Sequence, residues 1–188
     1  FAITGKGIEG DDRNLVLGLR NSHDKAFASA ICIGNQMLVC DNLCFSSDVK
    51  LARRHTPRIL TDLPRVLSSA MSRVTSHWSD MAQRIGAYQR TEINREQASD
   101  LLIDLVDSKA FSARDVYKTA KEFEAPRHAE FEGNHLWNLY NACTEHLKGG
   151  DMSKLPSRTM AMQSIFDNRA GHSPNLTVDN ETGLVLPA

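Results

Sequence analysis

An α+β domain is the fold class predicted by this sequence: a small antiparallel sheet (an N-terminal meander) packed against a long amphipathic helix and a helical C-terminal half. Three observations predict it. Short apolar runs separated by turn residues fill the first 41 positions. Apolar residues at steps of three and four begin at Leu63, and helix caps and stops recur from Asn94 onward. A chain of 188 residues can bury a sizeable core without a disulfide or metal staple. The expectation is one α+β domain over 1–170 and a loosely ordered polar tail over 171–188.

Residues 1–13 are Gly-rich and polar and read as a loop. Leu15 to Arg20 reads as a first strand, and Asn21-Ser22-His23-Asp24 has turn chemistry. Ala26 to Ile33 follows as a second strand. Gly34-Asn35 is a two-residue hairpin signal, and Met37 to Cys40 completes a third strand.

Thr61-Asp62 can cap a helix that carries Pro64 in its first turn, where proline is tolerated. Its apolar stripe runs Leu63, Leu67, Ala70, Val74, Trp78, Met81, Ile85, Tyr88. That face implies about 28 residues, or about 42 Å of helix at 1.5 Å per residue. Arg65, Arg73, Arg84 and Arg90 are expected on the opposite, solvated face. Asn94 with Gln97 has the capping-box spacing, and Ser112 with Asp115 starts a helix that must stop near Pro126. A further helix spans about 134–147 before Gly149-Gly150, and Pro156 opens a last short one. Trp78 and Trp137 sit on apolar faces and are expected in the core.

Charge balances over the whole chain, with 22 Lys and Arg against 23 Asp and Glu, which excludes a protein that is basic all over. No apolar run approaches the roughly 18 residues of a membrane span, so no membrane partner is expected. The chain starts at Phe1, not Met, and shows no signal-peptide pattern. A processed start or a piece of a longer protein is therefore expected. Four cysteines, Cys32, Cys40, Cys44 and Cys143, do not make a disulfide scaffold and read as reduced cytoplasmic thiols.

Residues 49–77 depart from this balance. They hold Lys50, Arg53, Arg54, Arg58, Arg65 and Arg73 against the single acid Asp62, a net of +5 in a chain of net −1. Arginine forks and nearby serine hydroxyls suit phosphate oxygens, so these six residues are the expected nucleic-acid contacts. Asn21 and His23, at a strand end, are secondary candidates. The competing expectation is a solvated helix face, or arginines paired with acids elsewhere in the fold.

Other chemistry is weaker. Cys40, Cys44, His55 and His23 offer one close pair where a zinc site usually shows two, so no metal and no cofactor is expected. Ser22-His23-Asp24 cannot form a triad from adjacent positions, and no catalytic residue is assigned. A metal-dependent hydrolase using His23, Asp24 and Asp41 is the least favoured class.

The runs Leu17-Gly18-Leu19-Arg20-Asn21-Ser22-His23-Asp24-Lys25, Val39-Cys40-Asp41-Asn42-Leu43, Ala52-Arg53-Arg54-His55-Thr56 and Leu136-Trp137-Asn138-Leu139-Tyr140-Asn141-Ala142 carry a resemblance. Together they resemble the phage/plasmid-like proteins grouped as domain of unknown function 932, whose members often read R-N-S-H-D before a strand and V-C-x-N after it. The resemblance covers about Leu15 to Leu147. It implies a phage, prophage or plasmid protein in a bacterial cytoplasm, and it brings no settled activity. The resulting expectation is a non-enzymatic nucleic-acid-binding protein, with binding or annealing of single-stranded DNA, and a homo-oligomer among its states. The alternative is an anti-defence or other protein-binding module whose arginines meet an acidic partner.

Overall fold

The computed structural model describes residues 2–4, 13–20, 30–37, 43–47, 61, 64–65, 68, 74–148, 150–151, 154–173, 176–179 and 184–187. Near the N-terminus lie strands β1 (Ala2–Thr4), β2 (Arg13–Arg20), β3 (Ala30–Met37) and β4 (Leu43–Ser47). Five helices follow: α1 (Val74–Arg90), α2 (Arg95–Asp107), α3 (Ala113–Glu124), α4 (Leu136–Leu147) and α5 (Leu155–Ala170). Strands β5 (Leu176–Asp179) and β6 (Leu184–Pro187) pair antiparallel in the segment expected to be a loose tail.

The expected α+β class is corrected: the body of the protein is mostly helical. Residues from Met81 to Phe166 supply every buried hydrophobic side chain among the described residues except Val16. Over its described part, α1 packs on α4 and α5, with β6 beside it. Among the described residues the continuous apolar interior is built from the inward sides of α1, α2, α4 and α5, with α3 packed against it.

The strand register also differs from expectation. β1 to β4 pair in order, all antiparallel. Gly34 and Asn35 do not turn the chain. They lie inside β3, opposite Val16 and Leu15, and the register shifts between Ile33 and Gly34. A glycine within a strand commonly marks such an irregularity, which is what the hairpin reading overlooked. Met37 ends β3 and does not begin a third strand; the next strand is β4.

The helix boundaries follow the local chemistry. The expected helix from Thr61 is continuous from Val74 to Arg90, and Thr61, Pro64, Arg65 and Ser68 are helical as well. Leu63, Leu67 and Ala70 lie outside the described residues. Met81, Ile85 and Tyr88 are buried, and Trp78 is half-buried. Asn94 caps α2 reciprocally: its side chain accepts from the Gln97 N–H at 2.9 Å, and its own N–H donates to Gln97 Oε1 at 3.0 Å. Asp115 Oδ2 accepts from the Ser112 hydroxyl at 2.6 Å and from its N–H at 3.3 Å. Pro156 stands in the first turn of α5, and Gly171 closes it at φ +64°, a left-handed conformation that glycine adopts without a Cβ clash.

α4 is the central helix. Ten of its twelve residues are buried, because α1, α3 and α5 all pack on it. Its start is pinned by the link after α1: the Leu136 N–H donates to Thr91 O at 2.8 Å, and the Ile93 N–H to Asn134 O at 2.9 Å. An aromatic cluster fills the interior between α1, α4 and α5. Tyr140 lies 5.4 Å from Tyr88, 5.2 Å from Phe166 and 5.6 Å from Trp137, ring centre to ring centre. Such tilted, edge-on and stacked pairs add to plain burial.

Candidate functional site

Of the eight expected nucleic-acid contacts, Arg65 alone is among the described residues; it is helical and exposed. Lys50, Arg53, Arg54, Arg58, Arg73, Asn21 and His23 lie outside them, as do Cys40, His55, Asp24 and Asp41.

Arg84 is a correction. The charge pattern puts it on the solvated face with Arg65 and Arg90, yet it is 4% exposed, whereas Arg90 is exposed. Its position explains this. Arg84 is three residues after Met81 and four before Tyr88, so it shares their inward face. That spacing was legible in the sequence, as was the i,i+4 partner Asp80.

Around Arg84 the structure builds a buried polar centre between α1 and α5. Arg84 Nε donates to Asp167 Oδ1 at 2.9 Å and Nη2 to Oδ2 at 3.2 Å, a two-point fork. Tyr88 Oη donates to the same Asp167 Oδ1 at 2.6 Å. On the other side, Arg84 Nη1 lies 3.1 Å from Asp80 Oδ2, an ionic contact without an aligned hydrogen bond. His172 Nε2 sits 3.5 Å from Asp80 Oδ1, and the His172 N–H donates to Asp167 O at 2.9 Å. Gln163 extends the polar seam by donating to Tyr140 Oη at 3.1 Å.

Burial alone pulls the Arg84 guanidinium down. The hydrogen bond and charge of Asp167, with the charge of Asp80, outweigh that and hold it above its ordinary value. A group raised in this way contributes stability fully below its unfolded pKa and loses it only as pH rises through the folded one. For an arginine that lies above any working pH, so the centre keeps its cation throughout. Chemically, this arrangement ties the middle of α1 to the last turns of α5. Arg84 and Asp167 are buried, and Asp80 and His172 are about nine-tenths covered.

A second polar cluster sits at the rim between α3 and α4. Arg127 bridges Glu122 at 3.1 Å and Glu145 at 2.9 Å, and Lys148 Nζ lies 2.6 Å from Glu145. The adjoining cleft, lined by His128, Phe131, Asn138 and Asn141 among others, holds about 10 Å³, room for about one water molecule. Among the described residues no group of three His, Cys, Asp or Glu is placed to hold a metal ion. None of the described helices is long and apolar enough to cross a membrane.

These features define a helical domain organised about one buried ion-paired centre and one aromatic cluster. The family described as Domain of unknown function (DUF932) matches residues 3–170, and the chain belongs to that family. No curated protein and no solved structure matches the chain. The run Leu136–Ala142, part of the resemblance, is the first half of α4, and every residue in it is buried. Its two asparagines serve the backbone: Asn138 donates to Gly133 O at 3.1 Å and Asn141 to Trp137 O at 2.9 Å. At this place the family pattern is one of packing.

Proposed function

We propose that this protein binds nucleic acid, single-stranded DNA in particular, through the arginine-rich segment 49–77 and without catalysing a reaction, as a phage or plasmid protein in a bacterial cytoplasm. The observation that carries the reading is segregation of charge. The helical body, 74–173, has 14 Asp and Glu against 12 Lys and Arg, a net of −2, while residues 49–77 net +5. Internal neutralisation would spread positive charge among the acids; concentration in one stretch favours an external polyanion. Arg84, expected on the solvated face of the same helix, adds nothing to this charge, because its own is spent on Asp167 and Asp80.

The test is binding of a labelled oligonucleotide across salt concentrations. Each neutralised phosphate contributes a log–log slope of about −0.9 on duplex and about −0.7 on single strands. Engagement of three to five side chains gives a slope of about −2 to −4 on that basis. R53A/R54A should flatten it by roughly one to two units, since two contacts vanish. Absence of binding at micromolar protein in about 50 mM salt overturns the reading, because electrostatic attraction alone should register there. Loss of a protein partner on R53A/R54A, with no nucleic-acid affinity in either protein, points instead to a protein-binding module.

A further inference from the structure

We propose that the outward face of α3 is a second contact for single-stranded DNA, with Tyr117 stacking on a base and the cations around it holding the flanking phosphates. Arg114, Tyr117, Lys118 and Lys121 recur at i, i+3, i+4 and i+7, so they share an arc of about 100° on the helix. All four are exposed, Tyr117 to 71%. The other side of α3 faces the interior: Thr119 is buried, and Val116, Ala120 and Phe123 pack against the core. The inference rests on the nucleic-acid reading and adds to it a surface whose residues are all described.

α3 carries three cations and three acids, and they are sorted by their engagements. The acids are taken up within the fold. Asp115 accepts from the Ser112 hydroxyl and lies 3.9 Å from Arg158, Glu122 meets Arg127 at 3.1 Å, and Glu124 meets Arg95 at 3.1 Å. Among the cations, Lys121 has Glu124 at 3.7 Å, while Arg114 and Lys118 make no ion pair with a described residue. Their charge is turned to solvent and complements a polyanion. The exposed ring is the second, independent sign. A purely ionic surface needs no aromatic, whereas every base offers a flat π-face that stacks on one while cations track the backbone. Lys121 Nζ lies 5.8 Å from the Tyr117 ring centre, so ring and cation sit together. From Arg114 to Lys121 the face runs about 10 Å at 1.5 Å per residue, the length of about three nucleotides at 3.4 Å each. An acidic peptide would also meet the cations, but its carboxylates give the ring nothing to stack on.

The test measures binding of the full chain to two labelled strands of equal length, oligo(dT) and an abasic strand with the same phosphates, from about 50 mM salt upward. Y117A should bind oligo(dT) at least about fivefold more weakly than wild type, leave the abasic strand unaffected and keep the salt slope, because stacking and not charge is lost. Y117F, which keeps the ring, should bind like wild type. R114A/K118A should flatten the log–log salt slope by about 1.4 units, two contacts at about 0.7 each on a single strand. A wild-type chain that holds both strands equally, or a Y117A chain that binds oligo(dT) like wild type or weakens on both strands alike, overturns the α3 site and leaves binding through 49–77 standing. A wild-type chain that binds neither strand overturns both readings. R53A/R54A binding like wild type, with Y117A weakened on oligo(dT) alone, moves the contact from the segment to α3. Circular dichroism and thermal melting verify that each variant keeps its fold.

Discussion

Two ion-paired clusters in this protein use the same groups in opposite surroundings. At the α1–α5 interface, Arg84 is enclosed with Asp167 and Asp80, their side chains 5%, 8% and 11% exposed. At the α3–α4 rim, Arg127 bridges Glu122 and Glu145 while remaining 61% exposed. Both show short contacts, so distance does not distinguish them. Solvent does. Water already satisfies Arg127 in the unfolded chain and still reaches it in the fold, so its bridges add little. Arg84 has surrendered its hydration, and each carboxylate lost from its side leaves a charge stranded in the interior.

Substitutions can break or sharpen this comparison. Arg84→Ala should have the largest effect, a loss of about 3–5 kcal/mol in chemical denaturation, because Asp167 and Asp80 are left buried without their cation. A loss below about 1 kcal/mol would mean that water enters the α1–α5 interface. Tyr88→Phe removes one hydrogen bond to a charged carboxylate and should cost about 1.5–3 kcal/mol. If it is silent, the 2.6 Å contact to Asp167 contributes nothing net. Arg127→Ala should cost no more than about 1 kcal/mol, and the difference from wild type should shrink as salt is added. The double replacement Arg84→Met with Asp167→Leu should recover at least about 1 kcal/mol of the Arg84→Ala loss, since apolar packing replaces the buried pair while Asp80 keeps only His172 beside it among the described residues. A double variant as unstable as Arg84→Ala would show that the charges themselves, through Asp80, His172 and Tyr88, are needed to seat α5 on α1.

How much was legible follows the range of the forces involved. The caps were readable because they are local: Asn94 and Gln97, or Ser112 and Asp115, lie three residues apart and find each other in any helix. The apolar stripe of α1 was readable through Met81, Ile85 and Tyr88 for the same reason. For Arg84, residue type points outward and position points inward. Its i−3 and i+4 neighbours already placed it inward, but the carboxylate that makes burial tolerable lies 83 residues away. Gly34-Asn35 was misread because a turn signal describes what a dipeptide permits, and the pairing with Leu15 and Val16 overrode it. The basic segment was legible as composition alone, and of its members only Arg65 is placed by the structure.

By itself, then, the amino-acid sequence determined the caps at Asn94 and Ser112, the helix stop at Pro126, the inward stripe of α1 and the separation of charge between 49–77 and the rest. All of these depend on neighbours within a turn or on simple counting. The tertiary structure decided that helices supply nearly all of the buried interior among the described residues, that α4 is enclosed by three others, and that Arg84 meets Asp167. Those outcomes depend on which apolar faces find one another across the whole chain. A charge can be buried only where that assembly brings its counter-charge alongside.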